Sequence, residues 1–316
     1  MPYDLKDGLL VPYKPSLSEA IQLAHQFRFV DLQFADISGR LQHVTIPSHA
    51  LDEESFKNGI PKLDGSSIKG FTSIDESDMV LIPDPLTLAL VPWYPKEIST
   101  VRFICDVGLK EAKGIFDGAP RSVAKRAESK LADEGFSSYW GPELEFFAFD
   151  RVNWDTLQPY KGQSYEIFSR EAPWSSSGVG YPINFKEGYY PAPPQDSLYD
   201  FRSSVVAYLE DNFHVVCDAH HHEVSTAGQS EINILRDDLV PAADSVMTIK
   251  YVVKNVAKSM GLVATFMPKP IFGDNASGMH VHFSLWNGST NAFFDGSDKY
   301  AELSQLGRYA VGGLLE

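Results

Sequence analysis

The sequence predicts an α+β protein in two parts, a small strand-rich unit followed by a larger one in which strands and helices mix. Three observations carry this. The 316 residues amount to about two domains at roughly 150 residues each. Short alternating segments crowd the chain before Asp106. A loop and a helix then mark a boundary in GIFDGAPRSVAKRAESKLADEGF.

In order, Leu17–Phe27 has the spacing of a short amphipathic helix, with Ser16 or Ser18 as its cap. Val30, Leu32 and Phe34 then alternate with polar neighbours, Ser38-Gly39 turns the chain, and Val44 and Ile46 alternate again, which reads as a hairpin. Further strands are expected at Met79–Ile82, Ala89–Val91 and Thr100–Cys105. These make the first domain, residues 1–106. After the Asp117-Gly118 and Pro120 loop residues, Val123, Ala127 and Leu131 repeat every four positions, predicting a helix over Arg121–Leu131 in the second domain, residues 107–316. Tyr160–Ala192, rich in Ser, Gly, Pro and aromatic residues, is expected to be one long loop. A last helix is expected over Leu303–Leu315.

Composition removes several function classes. Hydrophobic residues make up 43% and charged residues 22%, values of a globular protein. A net charge of −15 argues against nucleic acid, which asks for a basic footprint. It does not argue against ATP, because metal ions neutralise phosphate locally. Cys105 and Cys217 form no C-x-x-C pair and are expected to be reduced, as in a cytoplasmic protein. The start MPYDLKDGLL lacks the features of a signal peptide, and no apolar run reaches the roughly 18 residues of a membrane span.

Four segments carry the chemistry. In GPELEFFAFD, residues 141–150, side chains two apart on a strand share a face, so Glu143 and Glu145 project together while Leu144, Phe146 and Ala148 take the other side. Paired carboxylates beside Phe147 and Phe149 repel one another and resist desolvation, costs that a bound cation relieves. In CDAHHHEVSTAGQSEINIL, a strand–turn–strand brings Glu223 and Glu231 together; the run His220–His222 cannot chelate one ion, since neighbours on a strand point to opposite faces. In DNASGMHVHFSLW, Met279, Val281, Phe283 and Leu285 form an apolar face, with His280, His282, Ser284 and Trp286 opposite, and Asp274–Gly278 is a loop able to offer amides to an anion. In KLDGSSIKGF, Asp64-Gly65-Ser66-Ser67 is a turn. Four glutamates and one histidine suit Mg²⁺ or Mn²⁺ better than Zn²⁺, and two such ions near a phosphate indicate phosphoryl transfer.

Taken in order, DGSS, G-x-E-x-E-F-F, HHHEV…GQ-x-E and N-x-S-G-M-H-x-H-x-S resemble the signature set of type I glutamine synthetases, from about Gln22 to Glu316. GYYPAPP at 188–194 and the PRSVAKRAE helix start belong to the same resemblance. It implies a β-grasp-like N-terminal domain, a larger α+β catalytic domain, and sites formed between neighbouring subunits of hexameric rings, usually stacked as dodecamers. It implies Glu145, Glu223 and Glu231 as ligands of a first metal, and Glu143 and His280 as ligands of a second. His282, Ser284 and Asp218 match nucleotide positions, and Asn275, Ala276 and Gly278 lie in the glutamate loop. Asp64 matches the acid that takes a proton from ammonium across a subunit boundary, and Tyr189 lines the ammonium pocket. The implied activity joins ammonia to glutamate with ATP through γ-glutamyl phosphate. A sister ligase using another amine, such as a polyamine, and a non-catalytic assembly protein like lengsin are the alternatives. Two departures stand out. Ala276 replaces the usual Gly, which would strain a left-handed backbone by about 1 kcal/mol. The family pattern also runs on beyond Glu316, with phosphate-binding arginines, a gating loop and one more glutamate ligand, so the sequence is expected to be a fragment of low activity by itself.

Overall fold

The computed structural model describes residues 3–6, 9–12, 14–110, 114–174 and 180–316. After a short hairpin of β1 (Tyr3–Lys6) and β2 (Leu9–Pro12), helix α1 covers Leu17–Ala24. Ser16 and Glu19 close a reciprocal capping box at its start, and Ala20 and Ala24 give it a smooth buried face. The helix ends before the expected Phe27 because the chain must turn there into β3 (Phe29–Ala35), and Phe27 packs on the core instead. The hairpin then forms as expected: β3 pairs antiparallel with β4 (Leu41–Pro47) across the turn at Gly39, whose φ is 77°.

Helix α2 (Glu53–Lys57) leads to β5 (Ile60–Asp64), β6 (Asp78–Pro83), β7 (Ala89–Val91) and the long β8 (Thr100–Leu109). The strand order is β4-β3-β8-β6-β5, with β7 also on β8; β3 and β8 run parallel and the remaining pairs antiparallel. Leu32, Leu81, Val101 and Phe103 fill the core under this sheet. Strand β5 lies at its edge and ends on Asp64.

The second unit begins at α3 (Pro120–Asp133), with Pro120 in the first turn, where a missing amide hydrogen costs nothing. Then follow β9 (Ser137–Phe149), β10 (Arg151–Asp155), β11 (Ser164–Phe168), α4 (Tyr199–Phe213), β12 (Cys217–His222), β13 (Gln229–Ile234), α5 (Leu239–Ser259), β14 (Val263–Thr265), β15 (Met279–Asn287), β16 (Thr290–Asn291) and α6 (Gln305–Leu315). The sheet order is β12-β13-β9-β15-β16, with β14 also on β9, all antiparallel. Leu144, Phe146, Ala148 and Ile232 face α4 and α5 and form the main core. Phe147 and Phe149, on the other face of β9, join a smaller cluster with Ala227 and Ile271. The alternation expected in GPELEFFAFD is therefore realised on both faces.

Two expectations are corrected. Residues 160–192 are not one loop, because Ser164–Phe168 pairs with β10 as a hairpin, and the Arg151 guanidinium lies 3.8 Å over the Phe168 ring. Its alternation was masked by the surrounding Gly, Ser and Pro; residues 175–179 lie outside the described structure. The apolar face of β15 is not buried along its whole length: Met279 is 57% and Val281 40% exposed, because the helical layer rests on β9, β12 and β13. Ala276 is not in the left-handed region, so its Cβ brings no strain.

Candidate active site

The site is a row of side chains across the non-helical face of the second sheet. Register sets the row: His221 of β12 lies opposite Glu231 of β13, Glu231 opposite Glu145 of β9, and Glu143 opposite His280 of β15. Residues paired this way share a face, so pairing alone gathers four of the expected ligands from three strands, with His221 from a fourth beside them. Glu223 joins them just past β12, where its amide donates to Gln229 O at 3.0 Å. His221 Nδ1 is 3.5 Å from Glu223 Oε1, its Nε2 is 3.7 Å from Glu231 Oε1, and ligand atoms of the three lie within 4.8 Å of one another.

His221 is a residue that sequence reasoning passed over. The histidine run does alternate as expected, and this is why only its middle member reaches the acids. His222 points the opposite way and pairs with Glu171 at 3.0 Å, both fully buried, while His220 lies 3.4 Å from Ser203 Oγ. The signal available was the His221–Glu223 spacing of two along one strand direction. Gln229 was also passed over. Its Nε2 donates to Glu145 Oε2 at 2.8 Å and to Ala276 O at 3.0 Å, and its Oε1 accepts from the Ser225 amide at 2.9 Å. This buried amide thus ties Glu145 to the 274–278 loop. The loop's other anchor is Asp274, 2% exposed, which accepts from Ser225 Oγ at 2.5 Å and from the Thr226 and Asn275 amides at 3.0 and 2.9 Å.

Close packing continues at Gly278, whose carbonyl accepts from the Glu145 amide. A Cβ there would come within 2.9 Å of Glu145 Oε1 and 3.3 Å of His280 Nε2. On β15, His280 Nδ1 lies 3.5 Å from Glu143 Oε2 and His282 Nε2 lies 3.1 Å from Glu143 Oε1. Ser284 continues that face, its hydroxyl accepting from Trp286 Nε1 at 2.9 Å. Tyr189 stacks on Tyr190 at 4.0 Å between centroids and lies 6.0 Å from the His221 ring, which places it beside the cluster. Asp218 sits exposed at an irregularity near the start of β12. Asp64 is in the other unit. Its carboxylate accepts from the Ser66 amide and hydroxyl at 2.9 and 2.7 Å and from Ser67 Oγ at 2.9 Å, and among the described residues no hydrogen bond or ion pair joins it to the acids above.

The electrostatics show a site under strain. Burial first, and then repulsion from neighbouring carboxylates, raise the pKa of Glu145 and of Glu223. Glu231 is lowered, chiefly by its bond with His221. His221 is raised: burial opposes its charge, but the Glu231 and Glu223 carboxylates outweigh it. A divalent cation among these oxygens would offset the repulsion.

A sheet carrying a convergent acid and histidine row lies beside a smaller mixed-sheet unit, and a donor set dominated by carboxylate oxygens fits a hard divalent ion. The family models for "Glutamine synthetase, beta-Grasp domain" and "Glutamine synthetase, catalytic domain" match residues 26–110 and 117–316, and the chain belongs to the glutamine synthetase family. It is 54% identical over 294 residues to the glutamine synthetase of Sulfolobus acidocaldarius, covering 93% of this chain and 61% of that one. It is 43% identical over 300 residues to that of Salmonella typhimurium, covering 92% and 62%. The chain thus spans about three-fifths of the length of these relatives. The solved Plasmodium falciparum glutamine synthetase has the same fold, at a TM-score of 0.85 and 24% identity over 96% of this chain and 60% of that one. A GmaS/ADP complex superposes at a TM-score of 0.74 and 26% identity, covering 95% and 63%. No helix among the described residues is long and apolar enough to cross a membrane.

Proposed function

We propose that this protein acts as a glutamate–ammonia ligase, making glutamine from glutamate, ammonium and ATP through γ-glutamyl phosphate. The observation that carries the reading is the convergence of Glu145, Glu223, Glu231 and His221 on one sheet face, with Glu143 and His280 beside them. Carboxylate oxygens dominate this set, which suits Mg²⁺ or Mn²⁺. Glu145, Glu223 and Glu231 would hold one ion, and Glu143 with His280 a second. Such ions, when bound, neutralise the phosphate oxygens of ATP.

The chain's own groups take the remaining tasks. His282 and Ser284, in line with His280 on β15, and Asp218 face the nucleotide; the similar GmaS structure is an ADP complex, which supports nucleotide binding in this fold. The loop of Asn275, Ala276 and Gly278, held by Gln229 and Asp274, positions glutamate. Tyr189 lines the ammonium pocket. Asp64 takes the ammonium proton that must leave before the nitrogen can attack. Its hydroxyl and amide donors lower its pKa, so it stays ionised and attracts the cation. Because among the described residues no hydrogen bond or ion pair joins Asp64 to the acid row of its own chain, it serves a neighbouring subunit, in rings of the hexameric or dodecameric kind. The division at 106/107 into a β-grasp-like and a catalytic domain is supported by the two matched ranges, although β8 carries the first sheet on to Leu109. A cytoplasmic location accords with two free cysteines.

The test is γ-glutamyl hydroxamate formation and phosphate release by the assembled protein with Mn²⁺ or Mg²⁺, offering ammonium or a polyamine. Ammonium-dependent turnover that falls in Asp64→Asn, with Mn²⁺ affinity unchanged, is the expected result. Turnover with the polyamine alone would move the reading to the sister ligase. Absence of both turnover and Mn²⁺ binding would overturn it.

A further inference from the structure

The buried pair of Glu171 and His222 has no part in the chemistry assigned above, yet it joins several segments that carry the site. Glu171 lies just past β11. Its Oε1 accepts from the Ser197 amide and hydroxyl at 3.0 and 2.8 Å, ahead of α4, and its Oε2 accepts from His222 Nε2 at 3.0 Å. Its backbone carbonyl accepts from the Ile183 amide at 2.8 Å. At the other end of the ring, His222 Nδ1 donates to Gly188 O at 2.8 Å and to Glu223 O at 2.7 Å. Among the described residues both nitrogens have only oxygen acceptors for partners, so the ring donates from both ends. The His222 carbonyl in turn accepts from the Tyr190 amide at 3.4 Å. A buried polar network satisfied in this way rigidifies what it joins.

What the pair joins is a wall and an acid. Gly188 and Tyr190 flank Tyr189, and Glu223 follows His222 in the chain. The Tyr189 and Tyr190 rings are 56% and 60% exposed, so burial does little to fix them. Their backbone is fixed instead. The Gly188 amide donates to Val224 O at 3.0 Å, and the seat is so close that a Cβ on Gly188 would come 2.3 Å from Ser225 O and 2.6 Å from Glu223 O. Glu223 has anchors of its own: its amide donates to Gln229 O at 3.0 Å and its Oε2 accepts from the Val224 amide at 3.0 Å. Loss of the pair therefore frees residues 188–190 more than it frees Glu223. We propose that Glu171 and His222 are positioning residues for ammonium, which fix the Tyr189 wall against Glu223 and so set the ammonium KM without holding the metal. This inference rests on the ligase reading and adds to it the groups that keep the ammonium pocket in shape.

The experiment compares the assembled wild type with Glu171→Leu, Glu171→Gln and Gly188→Ala in two arms. The first is hydrogen exchange read by mass spectrometry on metal-free protein, which does not depend on the ligase reading. E171L, which breaks the chain of bonds, and G188A, whose Cβ unseats the segment, should speed exchange at residues 188–190 and leave β13 unchanged. In E171Q the amide oxygen still accepts from Ser197 and the amide nitrogen donates to His222 Nε2, so exchange should match the wild type. The second arm is steady-state kinetics with Mn²⁺ and ATP. The ammonium KM should rise by at least about tenfold in E171L and G188A, as for a positioning group displaced by about 1 Å, while the ATP KM, the Mn²⁺ affinity and all constants of E171Q stay within about threefold. A role in folding alone would move these constants together. Unchanged exchange at 188–190, an unchanged ammonium KM, an ATP KM or Mn²⁺ affinity that worsens in step with it, or an E171Q as impaired as E171L would overturn the proposal. A wild type that turns over no ammonium would overturn the ligase reading and the ammonium role with it, while exchange still decides whether the pair seats Tyr189. Should E171L fail to fold, G188A, which leaves the pair in place, decides both arms.

Discussion

Gly278→Ala is the substitution that most directly separates the fold from the metal site. The added Cβ would come 2.9 Å from Glu145 Oε1, well inside contact, and 3.3 Å from His280 Nε2. The Glu145 carboxylate cannot simply swing aside, because Gln229 Nε2 holds its other oxygen at 2.8 Å. If Gly278 retreats instead, its carbonyl leaves the Glu145 amide, at 3.3 Å already a long bond. Either relaxation displaces a proposed ligand from its supporting partner, a change that costs about 10–100-fold in metal affinity. The fold itself should barely respond. The clash is with the tip of a flexible side chain, Gly278 has no left-handed φ, and losing a glycine stiffens the unfolded chain by about 0.4–1 kcal/mol in the protein's favour. Metal-free melting should therefore stay within about 1 kcal/mol of wild type, while Mn²⁺ affinity, measured by electron paramagnetic resonance or calorimetry, falls by at least about tenfold. An unchanged Mn²⁺ affinity with Glu145 still in place in the variant's structure would refute the reasoning.

Three further outcomes follow from the geometry. Arg121, with its side chain 9% exposed, holds Asp84, Asp106 and Asp244 at 2.6, 2.7 and 2.9 Å; Arg121→Met leaves Asp84 and Asp244 without this ion pair, while Asp106 keeps Lys125 at 2.5 Å. The substitution should lower stability by about 3–5 kcal/mol in urea titrations, less in acid, and a loss below about 1 kcal/mol would refute the network's role. Gly228 has φ 77° and its Cβ would meet Ala148 O at 2.2 Å, so Gly228→Ala must break the Ala148–Gly228 backbone bond; about 2–4 kcal/mol should be lost, and a near-neutral melting temperature would show the junction of β9 and β13 to be slack. For pH, Glu145 and Glu223 have raised pKa values, so without metal they cost stability above those values and return it as pH falls. His221, also raised, adds stability that is full below its ordinary value and is lost as pH rises through its folded one, while the lowered Glu231 works the other way. The metal-free protein should thus gain stability from this cluster on mild acidification, and the stabilisation by Mn²⁺ should shrink over the same range, because protons and the ion compete. Parallel melting curves with and without Mn²⁺ across that range would contradict this.

The alternation of GPELEFFAFD determined by itself that Glu143 and Glu145 share a face and that Leu144, Phe146 and Ala148 take the opposite one, because strand geometry is local and has a period of two. The hairpin around Gly39, the start of α1 at Ser16 and the separation of the three histidines onto alternating sides were legible for the same reason. What the sequence left open was long-range. Only the antiparallel register places His221 beside Glu231, Glu231 beside Glu145 and His280 beside Glu143, since register depends on the whole sheet and not on any one strand. The role of Gln229 also waited on the tertiary structure, because its partners Glu145 and Ala276 are 84 and 47 residues away. The exposure of Met279 and Val281 was decided by where the helical layer sits, which no pattern within β15 records. Sequence fixed which side chains share a strand face; the packing of distant segments decided which of those faces meet.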